Sequence, residues 1–233
     1  MVINLKRYKQ KHNQCAVAAV SSVANYYNPR LDYPTVEEIA RKSVFRKLSD
    51  GLDAGQISCL LNILGFRKVT IVSSDLNFLD YGWNGLSQKR LSLNVQRMSK
   101  RVDAKYKDVV KNVWHWLSHT DYDNRIFVDF RYGDYIRKFL DRGNPLILSF
   151  NWTMYFRFPK DHHGYDDTWS EHAVAVCGYD KKGVNIVDSH HELYDGDLKE
   201  YRSGRYHMNW EHLMSVMGFG DLYLPEDYQE IKE

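Results

Sequence analysis

The chain has 233 residues, 43% hydrophobic and 27% charged, with a formal net charge of +2. That length and balance suit one large globular domain or two lobes, and the small charge gives no signal for nucleic acid or an anionic membrane. Three cysteines, Cys15, Cys59 and Cys177, are too few and odd in number for a disulfide framework.

No apolar run approaches the length of a membrane span. The start, Met1 to Arg7, lacks the apolar core of a secretory signal peptide. A reducing, cytosolic setting is therefore the default expectation. An effector exported by a signal-independent route would carry the same features. The abundant aromatics, 17 Tyr, 10 Phe and 6 Trp, suit a folded core and a substrate groove.

In chain order, the first element is the stretch from Gln10 to Tyr27. It is polar up to Cys15 and nearly free of charge beyond it. Cys15, Ala18, Ala19, Ser22, Val23 and Tyr26 share one helical face, and Val17, Val20, Ala24 and Tyr27 make the other face apolar. A helix apolar all round is a buried one. Asn13 reads as its N-cap, and Asn28-Pro29 ends it. Cys15 then sits in the first turn, where the partial positive charge of a helix N-terminus favours a thiolate. A small buried hydrophobe is the competing reading of the same residue.

Thr35-Val36-Glu37-Glu38 reads as a capping box opening a helix over roughly 36–43. Asp53-Ala54-Gly55-Gln56 repeats the pattern, with Ile57, Leu60, Leu61 and Leu64 on one face and Gly65 closing the helix. Lys68 to Ser73 reads as a strand. Residues 74–102 are turn-rich and basic (Lys89, Arg90, Arg97, Lys100, Arg101), without a readable period. An amphipathic helix is predicted from Asp103 to Ser118, through Tyr106, Val109, Val110, Val113 and Leu117.

The second half is mostly β: a strand at Ile126 to Phe130, a short helix from Tyr132 to Leu140 ended by Gly143, and a buried strand at Pro145 to Asn151. A long loop over 153–171 follows. Strands are expected at 172–179 and 183–188, with a last one near Asp221 to Leu224. Helices first and strands later argue for an α+β fold, a helical lobe against an antiparallel sheet.

The two strands 172–179 and 183–188 flank the turn Asp180-Lys181-Lys182-Gly183. In a hairpin symmetric about Asp180, His172 and Asp188 are directly opposed, with Cβ atoms about 4.5–5.5 Å apart. A carboxylate there fixes the imidazole tautomer and stabilises the imidazolium. A cysteine activated by a histidine that an acid orients is the general logic of a thiol nucleophile.

On these residues the chain resembles the papain-fold cysteine peptidases, most nearly the bacteriocin-processing peptidases and their stand-alone bacterial "peptidase-like" relatives. Four pieces carry the resemblance: the Gln–Cys–helix stretch 10–27; Asp50-Gly51-Leu52 with the helix 53–65; the stretch through Gly143-Asn144-Pro145-Leu146-Ile147; and His172 to Asp180 followed by Asp188. The resemblance implies a single papain-like domain over 1–233. Its helical lobe would span about 1–124 with an insertion at about 74–124, its sheet lobe about 125–227, with a short polar tail. It implies Cys15 as nucleophile, His172 as base and Asp188 as orienting acid. The oxyanion-hole glutamine of such peptidases stands six residues before the cysteine. Here that position is Lys9, and Gln10 is the candidate, with Gln14 adjacent to the cysteine. The residue after the cysteine, usually Gly or aromatic, is Ala16.

The implied activity is a thiol-dependent hydrolase, a cysteine peptidase or amidase, on a peptide or protein substrate. Asn151, Trp152 and Trp169 are the candidate substrate-binding residues, since the aromatic loop from Trp152 to Trp169 would border the groove. An acyltransferase or transglutaminase-like enzyme using the same three residues, and an inactive peptide-binding module of the same fold, are the alternatives. No cofactor is expected. His162-His163, His190-His191, His207 and His212 show no metal-ligand spacing on one helix or hairpin, so no metal is expected either.

Overall fold

The computed structural model describes residues 2–43, 51–152, 155, 171–190, 201 and 203–230. In chain order the helices are α1 (Cys15–Tyr27), α2 (Tyr33–Ser43), α3 (Ala54–Ile63), α4 (Gln88–Met98), α5 (Lys107–Ser118), α6 (Tyr132–Leu140) and α7 (Trp210–Val216). The strands are β1 (Phe66–Ser73), β2 (Asp123–Val128), β3 (Leu146–Asn151), β4 (Glu171–Tyr179), β5 (Gly183–Val187), β6 (Arg205–Asn209) and β7 (Asp221–Tyr228). They form one seven-stranded sheet in the order β2-β1-β7-β3-β4-β5-β6. Every neighbouring pair is antiparallel except β1–β2, which is parallel. The exception follows from the connection: α4 and α5 carry the chain back across the sheet before β2 begins, as a parallel pair requires.

α1 is buried from Ala16 to Ala24 and packs against β4, α2 and α3. Its small side chains allow close approach to the sheet. Two buried hydroxyls are satisfied within the helix, Ser21 Oγ to Val17 O at 2.7 Å and Ser22 Oγ to Ala18 O at 3.1 Å. Such back-bonding removes the cost of burying an unpaired hydroxyl.

The start of α1 differs from expectation. The N-cap is Gln14, without a side-chain cap bond, and Asn13 lies one residue earlier at φ 54°. Asparagine tolerates that left-handed conformation, so Asn13 turns the chain into the helix instead of capping it. α2 likewise begins earlier than the Thr35 box predicts. Asp32 caps it, accepting from Thr35 N at 3.1 Å, and Glu38, the acid of the expected box, pairs with Lys42 at 2.6 Å instead. The Asp53 box is formed as read: Asp53 Oδ1 accepts from Gln56 N at 3.0 Å, and Gln56 Oε1 accepts from Asp53 N at 2.9 Å. Gly55 lets α3 meet α5 closely, since a Cβ there would fall 2.2 Å from the Asn112 backbone.

Among the described residues, the α-helices α4 and α7 and the strand β6 went unread in the sequence. β1 and β7 also extend beyond their expected limits, to Phe66 and Tyr228. The loop expected over 153–171 lies, apart from Tyr155 and Glu171, outside the described residues.

Candidate active site

Cys15 is the first residue of α1 and is half-buried. The His172 side chain and the backbone N–H groups of Ala16 and Ala173 lie close enough to its sulfur to stabilise a thiolate. Burial opposes a thiolate here, but these donors and the imidazole charge outweigh it and hold the Cys15 pKa below that of an ordinary thiol. The other two thiols behave oppositely. Burial pushes Cys59 up to about 12 and raises Cys177 as well.

His172 is the second residue of β4 and is buried. Its Nε2–H donates to Asp188 Oδ1 at 2.8 Å. Burial disfavours the imidazolium, but the Asp188 charge, that hydrogen bond and Cys15 together raise its pKa well above the usual histidine value. With Nε2 committed to Asp188, Nδ1 is the ring nitrogen left for the thiol.

The route by which His172 meets Asp188 differs from the symmetric hairpin. β4 and β5 pair Ala175 with Val187 and Val176 with Ile186, then shift by one residue through a bulge between Val176 and Gly178. Asp188 therefore stands opposite residue 174, two positions from His172. An even offset keeps both side chains on one face of the sheet, so they meet diagonally. The contact exists, but direct opposition does not produce it.

Asp188 is fully buried, and its carboxylate is saturated from three sides. Oδ1 also accepts from His190 N at 2.8 Å, and Oδ2 accepts from Tyr206 Oη at 2.9 Å. Its backbone N–H donates to Gly204 O at 2.7 Å. Its carbonyl accepts from Arg7 Nε at 2.6 Å, while Arg7 Nη2 donates to His190 O at 2.8 Å. Gly204, at φ +62°, makes room for this: a Cβ there would lie 1.8 Å from Arg7 Nε. Tyr206 and Arg7 were not singled out from the sequence. Tyr206 sits on the unread strand β6, and Arg7 lies in an N-terminal segment with no periodic signal.

The two glutamines are separated by their contacts. Gln14 is buried, its Oε1 accepting from Tyr33 Oη and its Nε2 donating to Glu37 Oε1 at 3.3 Å. Both ends of that amide are spent on α2. Glu37 is held ionised there by Lys11 at 2.6 Å and Arg41 at 3.0 Å, which outweigh its burial. Gln10 is held beside Asp188 through Ser189. Its N–H donates to Ser189 O at 3.1 Å, and its Oε1 accepts from Ser189 Oγ at 2.7 Å. Its Nε2 end has no protein partner among the described residues.

Trp152, only 7% exposed, stacks on the His172 ring with centroids 5.0 Å apart and planes 28° apart. Its ring also lies 4.7 Å from that of His190. It thus covers one face of the imidazole. Asn151 is buried at the end of β3, in register with Glu171. Trp169 lies outside the described residues.

A cysteine heading a buried helix, facing a histidine on an adjoining sheet and an aspartate just past the end of its neighbouring strand in an α+β domain, defines the papain-like class of fold. The chain belongs to the Peptidase_C39 like family, whose family model matches residues 2–217. No curated protein and no solved structure matches it. Membership supports a cysteine-peptidase type of protein acting on a peptide or protein. Among the described residues, no helix is long and apolar enough to cross a membrane.

Proposed function

We propose that this protein is a thiol-dependent hydrolase, a cysteine peptidase or amidase, working through Cys15, His172 and Asp188. The observation that carries the reading is the continuous chain of contacts from the Cys15 sulfur through the His172 ring to the buried Asp188 carboxylate. Directions of pKa shift along that chain agree with it: the thiol is lowered and the imidazole raised, which is the direction that yields a thiolate–imidazolium pair at neutral pH.

The thiolate attacks the scissile carbonyl carbon and pushes its electron pair onto oxygen. The Cys15 backbone N–H, at the helix N-terminus, and Gln10 Nε2 donate to that oxyanion. As the tetrahedral species collapses, His172 gives its Nδ1 proton to the leaving amine, and the acyl group stays on sulfur. Neutral His172 then takes a proton from water, the resulting hydroxide attacks the thioester, and the thiolate is regenerated. Asp188 keeps the imidazole oriented and its charge compensated throughout. Trp152 keeps water from one face of the ring.

Limited iodoacetamide treatment of the purified protein near neutral pH, followed by peptide mass spectrometry, tests the nucleophile. Cys15 should be alkylated well before Cys59 and Cys177; equal labelling of the three would refute the assignment. Mass analysis of products from peptide mixtures with and without added primary amines then reads the acceptor. Hydrolysed products support the proposal, and amine conjugates alone would replace hydrolysis by acyl transfer.

A further inference from the structure

We propose a second site, remote in function from the first: His115 and His119 form a chelate for a divalent transition-metal ion such as Zn²⁺ or Ni²⁺. His115 lies in the last turn of α5 and His119 is the residue that caps it. The i, i+4 spacing sets both rings on one side of the helix. Their Nε2 atoms converge to 3.2 Å, with ring centroids 4.7 Å apart and planes at 83°.

That separation matches the bite of two imidazoles on one ion. Two nitrogens each about 2.0–2.1 Å from a zinc ion and 3.2 Å from each other subtend roughly 100–105° at the metal, close to a tetrahedral angle. Paired histidines at i, i+4 on one helix face are an established way of presenting such nitrogens. Both residues are exposed, so an ion enters from solvent.

The surroundings favour a cation. The C-terminal end of a helix carries partial negative charge. Asp121, two residues along the chain from His119, adds negative charge nearby. The pair also borders a cavity of about 220 Å³ shared with Gln56, Asn112 and Tyr122. Among the described residues no third His, Cys, Asp or Glu completes the set. The ion would therefore keep coordination positions for water or an outside ligand. The competing account of the same distance is a hydrogen bond between two neutral imidazoles.

Calorimetric titration with Zn²⁺ and with Ni²⁺ separates the two accounts. It uses the tag-free full chain, stripped of metal and carrying Cys15→Ala so that the reactive thiol does not compete. The expected result is one ion bound per chain, with affinity falling at least tenfold in His115→Ala and again in His119→Gln. Far-UV circular dichroism confirms that these exposed substitutions leave the helices intact. Absence of saturable binding, or binding unchanged when both imidazoles are removed, overturns the site and leaves only the hydrogen bond.

Discussion

His172 and Tyr206 hold the same buried carboxylate from opposite oxygens. The imidazole donates to Asp188 Oδ1 at 2.8 Å and the phenol to Oδ2 at 2.9 Å. A carboxylate with one oxygen pinned by a tyrosine cannot rotate away from its histidine. Tyr206 is therefore a positioning residue for the proposed triad, acting through Asp188.

Asp188→Asn should lower kcat/KM steeply, by up to about 10⁴-fold, because the amide can present its NH₂ to the ring and favour the wrong tautomer. Tyr206→Phe removes one hydrogen bond to a buried charge, worth about 1.5–3 kcal/mol, equivalent to roughly 10- to 150-fold if expressed wholly in the transition state. The loss should fall on kcat more than on KM. An unchanged kcat in Tyr206→Phe, in a protein of normal Tm, would reject the positioning role.

Cys15 reactivity should depend on pH in a way ordinary thiols do not. With its pKa depressed, the thiolate persists below the normal thiol range, and alkylation slows only as pH falls through the lowered pKa. His172→Gln removes the largest partner of that thiolate, so its alkylation midpoint should move to higher pH. Stopped-flow or discontinuous iodoacetamide kinetics from pH 4 to 10 read both curves. Coincident profiles for the two proteins would contradict the ion pair.

The two glutamines should fail differently. Gln10→Ala removes a proposed oxyanion donor and should reduce kcat by about 10²–10³-fold with KM little changed. Gln14→Ala strips partners from the buried Glu37 and from Tyr33, so it should lower Tm without a comparable effect on kcat in the remaining folded protein. Exchange of these phenotypes would transfer the oxyanion role to Gln14.

A separate titration concerns the cavity between the sheet and α3 and α5, which Asp53, Asp75, Glu171 and Asp221 border. Burial, with repulsion from Asp75, pushes Asp221 up to about 6 against the bonds from Ser73 and Tyr223. A carboxyl whose folded pKa exceeds its unfolded value of about 3.9 binds protons more tightly when folded. Its contribution to stability is complete below that unfolded value and is lost as pH rises from about 4 to 6. Thermal melts across this window should show a shallower fall of Tm with pH in Asp221→Asn than in the wild type. Equal slopes would remove Asp221 as a source of the dependence.

Much of this was legible in the sequence where the signal is local. The all-round apolar run from Cys15 reads as a buried helix because its 13 residues are too many for a strand and it has no polar face. The Asp53 box and the α6 stop at Gly143, which adopts φ +79°, are equally local. α4 was hidden because only Leu91 and Val95 of its residues are buried, too few for a stripe amid basic side chains. β6 was hidden for a similar reason: of Arg205 to Asn209 only Met208 is buried, as befits an edge strand with one covered position. The β4–β5 register was misread because a bulge leaves no mark in the alternation of Val174, Val176, Val184 and Ile186.

By itself, the sequence determined that a cysteine begins a buried helix, that a histidine opens one strand and that an aspartate closely follows the next, since periodicity and turn chemistry are carried by neighbours in the chain. Only the tertiary structure decided how these groups engage one another. The bulge set the diagonal meeting of His172 with Asp188. Arg7, Gly204 and Tyr206, far apart in the chain, enclosed the carboxylate. Burial against α2 consumed the Gln14 amide and left Gln10 tied to Ser189 beside Asp188. Each depends on backbone segments brought together by packing, and no local pattern encodes which distant donor will satisfy a buried acceptor.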